Sequence, residues 1–202
     1  MKNLLFIISI LYFTCFSCGG YDFNLKKTSD IQSQYKRNDS VYVKSYYDNG
    51  NVKECGWKKG EMKTDWWFYL YKNGVISKKE KYNELCSLIW KIEYDSIGTI
   101  IFEGYYNGQK KNGYSKYYFP NGKMSKEGWY RNDEQAGWWK DYNDKGELLF
   151  EGNYEHSVKN GYFKYYYNNK LESEGMYSTN LKKGDWKYYD TTGLLKNIVL
   201  YE

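Results

Sequence analysis

The sequence predicts an all-β protein, an elongated single-layer antiparallel meander of tandem β-hairpin repeats of 24 residues. Three observations carry that prediction. The first is one unit, Phe102 to Gly122, reading FEGYYNGQKKNGYSKYYFPNG, in which Asn-Gly and Pro-Asn-Gly turn signals bound period-2 runs. The second is its recurrence. With the glycine that closes Pro-Asn-Gly as position zero, counterparts fall at Gly50, Gly74, Gly98, Gly122, Gly146, Asn169 and Gly193. The steps are 24, 24, 24, 24, 23 and 24 residues. The third is composition: 26 Tyr and 8 Trp carry most of the apolar area, and proline occurs once. Tyr buries its ring and keeps its hydroxyl wet, which suits a thin sheet with two partly exposed faces.

Taken in order, the chain opens with residues 1–17, a targeting segment. Lys2 gives a positive start, and the apolar run Leu4 to Phe13 is too short to span a bilayer. Ser17-Cys18 followed by Gly19-Gly20 resembles the lipobox of bacterial lipoproteins, in which the cysteine carries the lipid. Cys15 is a second candidate, and an ordinary secretory signal is the plainer alternative. The resemblance implies a lipid-anchored protein of the bacterial cell envelope, at the outer membrane. Residues 18–40 are polar, mixed in charge and outside the repeat, and read as a tether reaching about 25 Å as a flexible coil. The formal charge of +5 comes mostly from scattered Lys and indicates solubility rather than nucleic-acid binding.

Residues 41–202 hold the repeats, seven turn slots with a strand on either side, hence fourteen strands. Two past zero every unit has an aliphatic residue or Met, from Val52 to Leu195. Six past zero stand Gly56, Gly104, Gly128, Gly152 and Gly175, and eight past zero a Tyr column from Tyr82 to Tyr201. Equal parity places these columns on one face of a regular strand. Four before zero stand Tyr46, Leu70, Tyr94, Tyr118, Tyr142, Tyr165 and Tyr189. They are expected to pack over the glycines. Odd offsets then form the outer face, with Trp57, Tyr105 and Trp129 seven past zero and Trp67, Trp139, Tyr162 and Trp186 seven before it. These seven residues are the candidate binding face. The plainer view is that their rings only shield the backbone.

Phe102-Glu103-Gly104-Tyr105-Tyr106-Asn107-Gly108 and Asn112-Gly113-Tyr114 resemble the MORN repeat, and more closely its bacterial variant. Lys183-Gly184-Asp185-Trp186-Lys187-Tyr188-Tyr189 fits the Gly-x-Trp-x-x-Tyr half of that variant. The resemblance covers about residues 41–201 and implies a single-layer sheet of hairpins serving as a scaffold. Bacterial members often carry an antitoxin-like label, which an export signal contradicts as a mechanism. The unit after Gly74 departs from the pattern, with Glu80 and Ile89 in place of both inner glycines.

No residue set points to an enzyme, a cofactor or a metal. His156, the sole histidine, sits in a turn slot, and a lone loop histidine is usually solvated. Glu103, Glu127, Glu151 and Glu174 form a column five past zero. Successive members lie two strands apart, near 10 Å, too far to share an ion or proton. Cys55 and Cys86 fall in different repeats with no CxxC spacing, so zinc is excluded and pairing stays open. The expected partner is a protein, or alternatively an envelope glycan stacking on the aromatics. The membrane is reached through the lipid anchor, nucleic acid is excluded by the export signal, and the chain is expected to be a monomer.

Overall fold

Tight turns between period-2 runs leave each strand only its sequence neighbours to pair with, and the sheet obeys that rule from end to end. A computed structural model describes residues 36–37 and 39–202, which belong to one compact unit, Gln32–Glu202. Its first eight strands are β1 (Lys36–Arg37), β2 (Ser40–Tyr46), β3 (Val52–Lys59), β4 (Met62–Leu70), β5 (Ile76–Tyr82), β6 (Leu88–Tyr94), β7 (Ile100–Asn107) and β8 (Lys110–Tyr118). The rest are β9 (Met124–Arg131), β10 (Glu134–Tyr142), β11 (Leu148–Glu155), β12 (Val158–Tyr167), β13 (Lys170–Ser178), β14 (Leu181–Tyr189) and β15 (Leu195–Tyr201). They form one 15-stranded sheet in sequence order, and β1 and β15 do not close on each other. The expected all-β meander of hairpins is what forms, and the described residues contain no helix. Strand β1 falls inside the stretch read as tether, so pairing starts before residue 41. The targeting segment, Cys15 and Cys18 lie outside the described residues.

Two kinds of turn join the strands. At most zero positions a five-residue loop forms, as at Phe119–Lys123, where Phe119 N–H donates to Lys123 O at 2.8 Å and Gly122 N–H to Phe119 O at 2.8 Å. Gly122 adopts φ +78°, free of penalty without a Cβ. Asn121 accepts from Lys123 N–H and donates to Asp144 O in the next loop at 2.7 Å, so the loops along this edge are chained. The second kind has two residues, both left-handed in Asn132-Asp133 and Thr179-Asn180, whereas in Gly60-Glu61 and Gly108-Gln109 only the glycine is. Asn168-Asn169, with φ 49° and 60°, belongs to this second kind. Asn169 therefore does not stand in for a loop glycine. Tyr166 pairs with Leu171 where Tyr142 pairs with Leu148, one residue less, which accounts for the 23-residue step.

Each such loop is followed by a β-bulge. Tyr117 pairs with Lys126 but Tyr118 with Met124, leaving Ser125 extra. The same slip recurs at Lys53, Leu149 and Lys196. An extra residue reverses the alternation of faces, which corrects the parity assumed from sequence. The aliphatic column does not share the glycine face. Nor does the Tyr118 column: Tyr118 donates to Glu103 at 2.7 Å, on the opposite side of the sheet. In the 23-residue unit the member of that column is Tyr166, not Tyr165.

The core is a pavement of rings on the glycine face. Trp67, Trp139 and Phe163 stand opposite Gly56, Gly128 and Gly152, and Trp186 lies against Gly175. These four rings are at most 1% exposed. A Cβ on Gly128 would meet the Trp139 ring at 2.3 Å, so glycine is what lets the indole lie flat on the backbone. The indole N–H donates to Trp129 O at 3.0 Å, and Trp67 and Trp186 donate likewise to Trp57 O and Met176 O. Where the tryptophan is absent, another column supplies the volume. Ser115 faces Gly104, and the ring of Phe102, 4% exposed, turns over that glycine instead. Lys111, Lys159 and Lys182 lie against the rings and donate to Tyr117, Tyr165 and Tyr188 at 2.7, 2.8 and 2.8 Å. These phenols in turn bond Tyr130, Tyr177 and Tyr201.

The irregular hairpin β5–β6 shows how a missing glycine is absorbed. Its turn, Asn83–Ser87, is a five-residue loop with Cys86 left-handed, and Ile89 is the bulge residue. Glu80, 5% exposed, holds the glycine position, with Lys91 replacing the tryptophan opposite. Lys78 lies 2.9 Å and Lys91 3.9 Å from its carboxylate, and the Tyr69 and Tyr82 phenols donate at 2.7 and 2.8 Å. Burial alone would favour the neutral acid, but hydrogen bonds from Lys78, Tyr69 and Tyr82 and the charge of Lys78 hold the Glu80 carboxyl below the usual carboxylate range.

Candidate binding face

Opposite the rings runs a row of alternating charge. Glu103, Lys116, Glu127, Lys140, Glu151, Lys164, Glu174 and Lys187 are successive cross-strand neighbours from β7 to β14. The glutamate column expected from sequence is therefore interleaved with lysine, strand by strand. Cross-strand neighbours of opposite sign stabilise a sheet modestly. At the row's start Lys116 lies 3.5 Å from Glu103.

Phenols and an indole hold the carboxylates on this row. Glu127 accepts from Tyr114 and Tyr142 at 2.8 Å each. Glu151 accepts from Trp138 Nε1 at 3.1 Å and Tyr166 at 2.8 Å, and Glu174 from Tyr189 at 2.6 Å. Burial and the bond to Glu127 push the Tyr114 phenol up to about 12. Burial opposes ionisation of Glu174, yet its phenol donors and Lys164 and Lys187 bring its carboxyl below the usual range. With their phenols raised, Tyr114, Tyr142, Tyr166 and Tyr189 remain protonated donors to the row at neutral pH.

Beside the charges lies a row of aromatic side chains: Tyr42, Trp57, Trp66, Trp90, Tyr105, Tyr114, Trp129, Trp138 and Tyr162, interrupted by Lys81 and Asn153. Tyr42–Trp57, Trp90–Tyr105 and Tyr114–Trp129 pack edge to face with centroids 5.3, 4.3 and 5.4 Å apart. Tyr105, Trp129 and Trp138 are 51%, 54% and 39% exposed.

The seven residues singled out from sequence therefore divide. Trp57, Tyr105, Trp129 and Tyr162 lie on this open face. Trp67, Trp139 and Trp186 do not: they are the buried rings of the other face and are withdrawn as binding residues. The bulge after each loop reverses parity, so the column seven before zero falls one residue out of step with this face. The neighbours Trp66, Trp90, Tyr114 and Trp138 were missed for the same reason. Adjacent aromatic pairs such as Trp66-Trp67 and Trp138-Trp139 were the available signal, since consecutive strand residues point to opposite faces.

His156 is exposed in its turn, with Nδ1 2.6 Å from Glu134. No disulfide joins Cys55 and Cys86. No cluster of three potential metal ligands occurs among the described residues.

No family model and no curated protein matches the chain. Among solved structures it is similar to accessory secretory protein 1,2 and 3 of Streptococcus pneumoniae, at 13% identity and a TM-score of 0.22. The match covers 68% of this chain and 21% of that chain. A likeness at that level carries no functional argument.

Proposed function

We propose that the chain is a MORN-type repeat scaffold, lipid-anchored through Cys18 in a bacterial cell envelope, whose charged and aromatic face docks a protein. The observation that carries this reading is the exposure of Tyr105, Trp129 and Trp138 beside an ordered charge row. Rings that the core needed are covered on the other face, so these three are in excess of what packing requires. Exposed aromatic residues flanked by charge have the composition of interaction hot spots. A photo-crosslinking residue at position 129 of the full chain, expressed in its own cell, should capture a protein. The same residue at position 126, on the ring face, should not. Absence of any protein adduct at 129 counts against the reading. An envelope glycan is the second reading, favoured by the same exposed indoles. It predicts a shift of tryptophan emission on glycan titration that is lost in W129A.

A further inference from the structure

We infer that the charged face is self-complementary and that its occupant is a second copy of this chain, bound face to face with the charge rows antiparallel. The inference rests on that face being the docking surface and names what covers it. The row begins with Glu103, ends with Lys187 and alternates at every strand between them. A row of this kind with an even number of members meets its own reversed image with every position opposite the other sign.

The symmetry operation that produces the reversal is a two-fold axis lying between the sheets, parallel to the strands. It turns one face towards the other, reverses the strand order and preserves the strand direction. Lys140 of one copy then opposes Glu151 of the other at the axis, followed outward by Glu127 against Lys164 and finally Glu103 against Lys187. A two-fold axis along the row would instead set like charge on like charge throughout, so the charges select one arrangement. Closed two-fold dimers are the commonest assembly, and isologous contacts require this kind of self-matching surface.

The aromatic row obeys the same operation. Because strand direction is kept, the aromatic side of one row faces the aromatic side of the other, setting exposed Trp129 opposite Tyr162 and Trp138 opposite Asn153. Facing sheets pack about 10 Å apart, a gap that extended Glu and Lys side chains bridge. Eight strands at about 4.8 Å by seven residues at about 3.3 Å cover about 900 Å² per copy. Stable interfaces bury about 800 Å² per partner, so the face is large enough.

Sedimentation equilibrium of the full chain tests the inference. The wild type should be a dimer that dissociates as salt is raised. K140E sets like charge against Glu151 on both sides of the axis, and E151K does the same to Lys140. Each alone should weaken dimerisation at least about tenfold. An equimolar mixture of the two should restore it, because every facing pair in the mixed dimer is again of opposite sign. A role confined to one chain gives no rescue on mixing. Should E151K misfold through loss of its bonds from Trp138 and Tyr166, K140E alone decides. Weaker association at an unchanged melting temperature supports the inference, and unchanged association overturns it. A wild type that stays monomeric at high protein and low salt concentration also overturns it. The crosslink at 129 then tells the two readings apart: an adduct of twice the chain's mass belongs to this dimer, and an adduct with a foreign protein leaves only the docking face standing.

Discussion

Glycine does two jobs in this chain, and substitution separates them. Gly128 has no left-handed backbone to maintain, but a methyl group there meets the Trp139 ring at 2.3 Å. Gly128→Ala must lift the indole off the sheet and break its bond to Trp129 O, an overpacking cost of about 3 kcal/mol. Gly122 is the reverse case, with open space around it and φ +78°. Gly122→Ala should cost about 1 kcal/mol, from backbone strain alone. Urea titration of both variants ranks them, and equal losses would mean that ring seating is not what the inner glycine serves. The same test divides the tryptophans. Trp139→Ala opens a cavity in the buried ring layer and should cost about 4 kcal/mol. Trp129→Ala, at 54% exposure, should cost well under half of that. That glycines leave room for rings was legible in the sequence. Which ring fills the room was not, because Trp139 and Tyr142 differ only in parity, and a bulge residue such as Leu149 looks like any other strand residue.

At the scale of the hairpin, the units achieve the same packing with different residues. Trp139 over Gly128, Phe102 over Gly104 beside Ser115, and the Glu80–Lys91 pair are three solutions to one space. Column statistics from seven units detect a shared residue but not a volume shared between two columns, so the role of Phe102 could not be read from the sequence. The Glu80 solution depends on ionisation. Its folded carboxyl titrates below its unfolded one, so the stabilisation it supplies is complete above the usual carboxylate range and is lost as pH falls through the lower folded value. Thermal melts from pH 6 down to pH 3 should show a steeper loss for wild type than for Glu80→Gln. Gln keeps an acceptor for Tyr69 and Tyr82 but has no charge to lose. Parallel curves would show that Glu80 does not govern acid stability. At pH 7 the Gln variant should be less stable by roughly 1–3 kcal/mol, since Lys78 and Lys91 lose a charged acceptor.

At the scale of the whole molecule, β4 to β12 repeat with a period of two hairpins rather than one, a pattern that β13 to β15 do not continue, with Ser173, Tyr188 and Asn197 at the corresponding positions. On the ring face a single cross-strand row runs Tyr69, Lys78, Glu93, Phe102, Tyr117, Lys126, Asp141, Phe150, Tyr165. The order Tyr, Lys, acid, Phe returns after four strands, and Tyr69, Tyr117 and Tyr165 are spaced by 48 residues. In a repeat sheet each strand contacts mainly its neighbours, so stability is a sum of unit and interface contributions. Deleting residues 99–146 removes one full period and joins β6 to β11. Glu93 then faces Phe150 as it now faces Phe102, Lys91 faces Gly152 as it now faces Gly104, and Tyr94 meets Leu148 in place of Ile100. Every new contact has a native precedent, so the shortened chain should fold to a continuous sheet and unfold in one transition. Its denaturant slope should fall by roughly a quarter, in proportion to the surface no longer exposed. Deleting residues 99–122 removes half that period and joins β6 to β9, which sets Glu93 against Lys126 where it now faces Phe102, so that Lys78, Glu93, Lys126 and Asp141 follow one another with no ring between them. If hydrogen exchange finds protection lost on both sides of the 99–146 junction, while the half-period deletion fares no worse, the two-hairpin period is a coincidence of composition and not a unit of the fold.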